Sequence, residues 1–201
     1  MDFQNAQPAV FNLTEHLDQL LGLEFTVNEH QGARNPSKWI SPVSHRGSAT
    51  IHSRDHPLAV NYVADDKSSI LCRLDTSGPL YRVLAGIEAK VKHANAPHTE
   101  TTTDLISYPE PGSSYQPSLK LKTAYTVWLG EDGQEITKEQ ALSQRRTLLS
   151  YVLAVSKLNH FRNKWYFGIV LKSAKVSDAA VPSGGAGGGQ SRQPATYVDL
   201  L

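Results

Sequence analysis

Apolar residues along this chain switch between two periods. Leu13, Leu17, Leu20 and Leu21 recur at helical spacing, and Gly22 follows as a stop. Asn12 with Glu15 fits a capping box, so a short helix is predicted over 13–21. Residues 47–54, GSATIHSR, alternate as a strand does. LAVNYV at 58–63 and SILCRL at 69–74 flank ADDKS, which signals a hairpin. Leu80, Val83, Leu84, Ile87 and Val91 follow helical spacing, with Pro79 suited to a first turn. Ile87, Ala89 and Val91 also alternate, so a strand is the competing reading of 80–93; helix is favoured. A long polar connection occupies 94–117.

A strand is predicted at 118–129, SLKLKTAYTVWL, followed by the turn GEDG. Thr137 with Gln140 makes a second capping box. From Lys138 to His160 the pattern predicts a long helix, its stripe formed by Ala141, Leu142, Leu148, Leu149, Val152, Leu153 and Val155. Arg145 projects near the centre of that stripe. It would snorkel to the surface or, if inward, meet an acid or a phosphate. The last strand is predicted at 164–175, KWYFGIVLKSAK. These elements give an α+β domain over 1–181, built on a curved antiparallel sheet or an OB-like barrel with packed helices. A tail follows at 182–201.

Composition narrows the class. Hydrophobic residues make up 39% of 201, enough for a core, and the net charge is +1. A lone cysteine, Cys72, forms no internal disulfide and reads as a small buried residue. With no signal-peptide pattern and no apolar run of membrane-spanning length, the expectation is a soluble cytoplasmic protein, in the host cytoplasm if the source is viral.

Charge is segregated. Residues 1–31 hold Asp2, Glu15, Asp18, Glu24 and Glu29 and no Lys or Arg. Arg34, Lys38, Arg46 and Arg54 follow without an acid. Between Gln140 and Ser177 lie Arg145, Arg146, Lys157, Arg162, Lys164, Lys172 and Lys175, again without an acid. The acidic N-terminal segment would dock on a basic face of the same or a neighbouring subunit. Removing 1–31 would then tighten oligonucleotide binding.

No nucleophile elbow, phosphate loop, zinc-protease motif or paired-cysteine zinc spacing is present, and the chain reads as non-enzymatic, without cofactor. HSRDH places His52 and His56 four apart, with His45 upstream. The segment is strand and turn, so surface histidines are the simpler reading than a metal site. The acid pairs Asp65–Asp66 and Glu131–Asp132 fall in predicted turns.

Strand alternation divides the basic, aromatic segments into two faces. In 164–175, Trp165, Phe167, Ile169 and Leu171 face a core, and Lys164, Tyr166, Gly168, Val170 and Lys172 face outward. In 118–129, Leu119, Leu121, Val127 and Leu129 face inward, and Lys120, Lys122, Ala124, Thr126 and Trp128 outward. In 47–54 the polar face is Ser48, Thr50, His52 and Arg54. Lysine beside an outward aromatic ring suits single-stranded nucleic acid: cations neutralise phosphates and rings stack bases. The candidate nucleic-acid residues are Arg46, Arg54, Lys120, Lys122, Trp128, Arg145, Arg162, Lys164, Tyr166, Lys172 and Lys175. Single-stranded DNA is the expected partner, with RNA as the alternative. Against this stands plain packing: outward aromatics also lie under helices, and strand lysines guard edges.

Ser183–Gly189 is glycine-rich and behaves as a linker. The tip TYVDLL carries Tyr197, Val198, Leu200 and Leu201, candidates for an apolar groove or a strand edge on a replication or transcription partner. Folded domain, glycine linker and short tip together resemble bacterial and phage single-stranded-DNA-binding proteins. The tips of that family are strongly acidic. Here Asp199 and the terminal carboxylate are the only negative groups after Asp178. The resemblance implies a non-enzymatic protein acting in replication, recombination or transcription. The alternative is a viral or bacterial structural or adaptor protein that self-assembles through its aromatic faces and tail, as a homo-oligomer.

Overall fold

The computed structural model describes residues 10–30, 37–42, 49–95, 101–102, 104–155, 158–161, 164–166 and 169–180. The first half holds β1 (Val10–Asn12), α1 (Leu17–Leu21), β2 (Phe25–His30), β3 (Ser37–Pro42), β4 (Ala49–Ser53), β5 (Leu58–Val63), β6 (Ser69–Arg73) and α2 (Pro79–Asn95). Then come β7 (Thr101–Thr102), β8 (Ile106–Ser107), β9 (Ser118–Lys122), β10 (Val127–Leu129), β11 (Glu135–Ile136), α3 (Lys138–Ala141), β12 (Arg146–Val155), β13 (Leu158–Phe161), β14 (Lys164–Tyr166) and β15 (Ile169–Ala180). The fold is α+β. Its main sheet has ten strands, and a second sheet of five runs β2-β3-β13-β14-β7.

The main sheet curves back on itself. Pairings run from β12 to β5, β6, β9 and β15, and β15 pairs β12 again. The ring is broad at β12–β15. It is narrow at β9–β15, held by Val170 opposite Lys122, and at β12–β5, where Thr147 and Leu148 face Ala59 and Leu58. Inside lie Ile51, Val60, Ile70, Cys72, Leu119, Leu121, Leu148, Leu153 and Leu171, all 2% exposed or less.

The α2 helix forms as its spacing predicts. Leu80, Val83, Leu84, Ile87 and Val91 are all buried, while Ala89 is exposed, so the helical period wins over the alternating one. Lys90 Nζ donates to Leu23 O at 2.7 Å and also to Leu21 O, closing the end of α1. The buried Glu88 accepts from the backbone N–H groups of Leu105 (2.8 Å) and Ile106 (3.0 Å) and from Lys92 Nζ (2.8 Å). It ties the segment carrying β8 to the helix.

Several expectations are corrected. The helix over 13–21 shortens to α1; Asn12 Oδ1 still accepts from Thr14 N and Glu15 N, at 2.9 and 3.2 Å. The acidic segment is no detachable arm, because Phe11, Leu13, Leu20 and Leu23 are buried in the common core and β1 pairs β4. The long helix from 138 is absent. Its capping box forms, with Thr137 Oγ1 accepting from Gln140 N and Gln140 Oε1 from Thr137 N, but α3 ends at Ala141. Tyr151, Leu153 and Val155 alternate into the core as β12, and Thr147, Val152 and Val155 are β-formers. Arg145 is exposed, and the largely buried arginine is its neighbour Arg146, whose side chain is 16% exposed. The strand expected at 164–175 is two strands, β14 and β15, in different sheets.

Among the described residues no helix is long and apolar enough to cross a membrane. His45, Arg46, Arg162, Gly168 and the whole tail from 181, with Tyr197, Val198, Leu200 and Leu201, lie outside the described residues.

This packing makes three predictions. Glu88→Ala strands two buried N–H donors and should cost roughly 2–4 kcal/mol in urea unfolding. Burial pushes the Cys72 thiol pKa up, so thiol labelling at pH 8 should be blocked in the native protein and follow unfolding; an unchanged midpoint in the variant would show that Glu88 is not a tether. Deleting 1–31 should unfold the domain rather than tighten binding, read by circular dichroism.

Candidate nucleic-acid interface

Strand register gathers an outward row on three neighbouring strands. Tyr62 on β5 stands opposite Leu71 on β6, and Leu71 opposite Lys120 on β9. Parallel to it, Arg73 faces Ser118 and Ser69 faces Lys122. Inward partners on the same strands, Ile70 with Leu121 and Cys72 with Leu119, are fully buried. The two faces therefore separate along β6 and β9, except at Ser69, which is on the outward phase but buried.

The next strand adds further cations. Val170 of β15 sits beside Lys122, and Lys172 is exposed two residues on. Lys175, half-buried, lies between Ser150 of β12 and Leu129 of β10. So Lys120, Lys122, Lys172 and Lys175, predicted from separate segments, share two adjacent strands. Arg73 joins them and was missed, because a single arginine at a strand end carries no pattern. Among the described residues none of these five cations has an ion-pair partner; the ion pairs there involve Lys92 and Arg146. The segments LAVNYV, SILCR and SLKLK contain no acid. Acids bound the face instead, with Asp65 and Asp66 in the turn before β6 and Asp75 after it. Asp66 and Asp75 have pKa values held below the usual carboxylate range, by hydrogen bonds from Ser68 and Ser77 respectively. They stay ionised.

Trp128 is not on this face. It is 2% exposed, and its indole Nε1 is buried without a hydrogen bond, while Val127 is 47% exposed. The inward–outward phase slips between β9 and β10. Thr123 N donates to Ser68 O at 2.9 Å and its Oγ1 to Lys67 O at 2.6 Å, and Thr126 Oγ1 donates to Leu171 O at 2.7 Å. Those bonds turn the chain through 123–126 and re-enter the sheet one residue out of step. The loop lifts Tyr125 to 86% exposure at the end of β9, so near this face tyrosines rather than Trp128 supply the accessible rings.

The other candidates are placed apart. Arg54 is exposed after β4, and Arg145 precedes β12. Arg146, which is not one of the candidates, donates to Ser177 O at 2.7 Å. Lys164 and Tyr166 lie on β14, in the second sheet; there Asn159 is registered between Trp39 and Tyr166. His56 Nε2 is 3.3 Å from Thr14 Oγ1.

No family model matches this sequence, and no curated protein matches it. Among solved structures, the chain is similar to a single-stranded DNA-binding protein from bacteriophage Enc34 in complex with ssDNA, at 11% identity and TM-score 0.48, over 79% of this chain and 98% of that one. It is also similar to gp2.5, a single-stranded DNA-binding protein encoded by bacteriophage T7, at 10% identity and TM-score 0.40, over 76% of this chain and 100% of that one. The structures met are thus phage single-stranded-DNA-binding proteins, the group that the chain's organisation resembles. At these identities and TM-scores no residue role passes from them to this chain.

Trp128→Ala should cost about 3–5 kcal/mol of stability, as a core truncation does. Tyr125→Ala should stay within about 0.5 kcal/mol. Thermal or urea unfolding of the pair separates core from surface; equal losses would place Tyr125 in the packing.

Proposed function

We propose that the outer face of β5, β6, β9 and β15 binds single-stranded DNA without chemistry on it, in replication, recombination or transcription of phage or bacterial DNA. The observation that carries this is the cross-strand row Tyr62–Leu71–Lys120 with Arg73 and Lys122 at its flanks. Unpaired cations on β6 and β9, which with β5 hold no acid, attract phosphates and release counterions. A tyrosine 41% exposed among them offers a base a stacking surface. Stacked bases in a duplex are hidden from such a ring, so the arrangement favours single strands.

The test is fluorescence anisotropy of labelled poly-dT against a matched duplex across a salt series. Poly-dT should bind more tightly and weaken with salt. The combined change Lys120→Ala, Lys122→Ala should reduce the slope of log K against log salt by about 1.4, at roughly 0.7 per phosphate contact on a single strand. Tyr62→Ala should cost about 1–3 kcal/mol with little change in slope. Equal binding of duplex, or a slope untouched by losing both lysines, would sink the assignment.

A further inference from the structure

A cavity of about 330 Å3 lies at residues 55–59, where pairing along β12 passes from β4 to β5. Its floor is buried and mainly apolar, from Leu58, Leu74, Leu80 and Tyr151; Asp55, Arg73 and Gln116 are exposed at its rim. Two features distinguish it from a packing gap. First, Tyr151 is only 2% exposed, and its hydroxyl has the Ser53 hydroxyl as a polar neighbour but makes no well-formed hydrogen bond to it. Burial pushes that hydroxyl's pKa up, so it remains a donor; the Ser53 hydroxyl beside it donates to His56 O at 3.4 Å. Native proteins rarely leave a buried donor unused without a reason.

Second, Arg73 belongs to two places. It lines the cavity, and it stands on the outer face opposite Ser118, two residues from Lys120. Asp75, also on the cavity wall, is occupied by Ser77, whose N and Oγ donate to its Oδ1 at 2.9 and 2.7 Å. A site for a bare anion would not carry two aspartates. A planar heterocycle fits better, with apolar faces and an edge of mixed donors and acceptors. The volume is at the small end of ligand pockets, suited to a single nucleotide.

We propose that this cavity seats one nucleotide of the bound single strand, with the base on the floor near Leu80 and Tyr151 and its phosphate outside at Arg73. This rests on the reading of the outer face as the strand-binding surface.

The full-length protein is titrated with dTMP and, separately, inorganic phosphate by calorimetry, and with poly-dT by anisotropy. dTMP should bind and phosphate alone should not. Tyr151→Phe should weaken dTMP about threefold to tenfold. Ala59→Leu, filling the cavity from β5, should remove dTMP binding and weaken poly-dT. Protection of Cys72 from labelling reports whether each variant is folded; if Ala59→Leu is not, Tyr151→Phe decides. The lysine double variant should lose poly-dT affinity and keep dTMP. Absence of dTMP binding, or dTMP affinity unchanged in the folded variants, overturns the proposal, as does phosphate binding as tightly as dTMP. Binding of dTMP without poly-dT would defeat the outer-face reading, and with it the claim that the nucleotide in the cavity belongs to a bound strand, leaving only a mononucleotide site.

Discussion

β12 is the strand on which the rest is hung. Along one edge eight of its ten residues are registered with β15, and along the other edge the strand serves two partners in turn. Tyr151–Val155 pair with β4, and Thr147–Leu148 with β5. β4 and β5 are consecutive in the chain, so residues 54–57 must leave the edge of β12 between them. That departure bends the sheet and lets β5 and β6 swing toward β9. It also opens the cavity, since Tyr151 and Leu148 mark the two sides of the break. Curvature and cavity therefore share one cause, a ladder that one long strand divides between two short ones.

The outward surface depends on the same curvature through irregularities that keep it in register. A bulge between Val60 and Tyr62 turns Tyr62 out beside Leu71. Register shifts along β12–β15 let Ile169 and Leu171, then Ala174 and Val176, face the core. Lys172 and Lys175, three apart, can then both avoid it. A regular strand would send residues three apart to opposite faces.

Local patterns were legible where a segment's fate was decided locally. The hairpin of β5 and β6, the α2 stripe and the buried Cys72 follow from periodicity and turn residues alone. The lysines of β9 and Lys172 of β15 were visible as an alternating face, whereas Lys175 joins them only through the register shift in β15. What failed depended on distant partners. The stripe of 138–160 satisfies a helix as well as it satisfies a strand, and only β4, β5 and β15 on either side of β12 decide for the strand. Trp128 was assigned outward because alternation was carried through Thr123–Thr126. Nothing in those four residues announces bonds to Ser68 O and Leu171 O. Arg73 and Tyr62 gain meaning only from register with β9, which a single segment does not contain.

Charge placement adds a direction. The chain is nearly neutral at +1, so attraction for a polyanion is local, fading over about 10 Å at 0.1 M salt. Asp65 and Asp66 close one end of β6, and Asp75 the other. A phosphate chain laid along β6 would meet acids at both ends. Laid across the strands, from Arg73 and Lys120 toward Lys122 and Lys172, it meets only cations. The same acids explain why a base rather than a phosphate would enter the cavity: Asp55 and Asp75 repel the backbone from the rim, and Arg73 holds it on the lysine side. A path across the sheet, with one base turned aside into the cavity, satisfies both constraints at once.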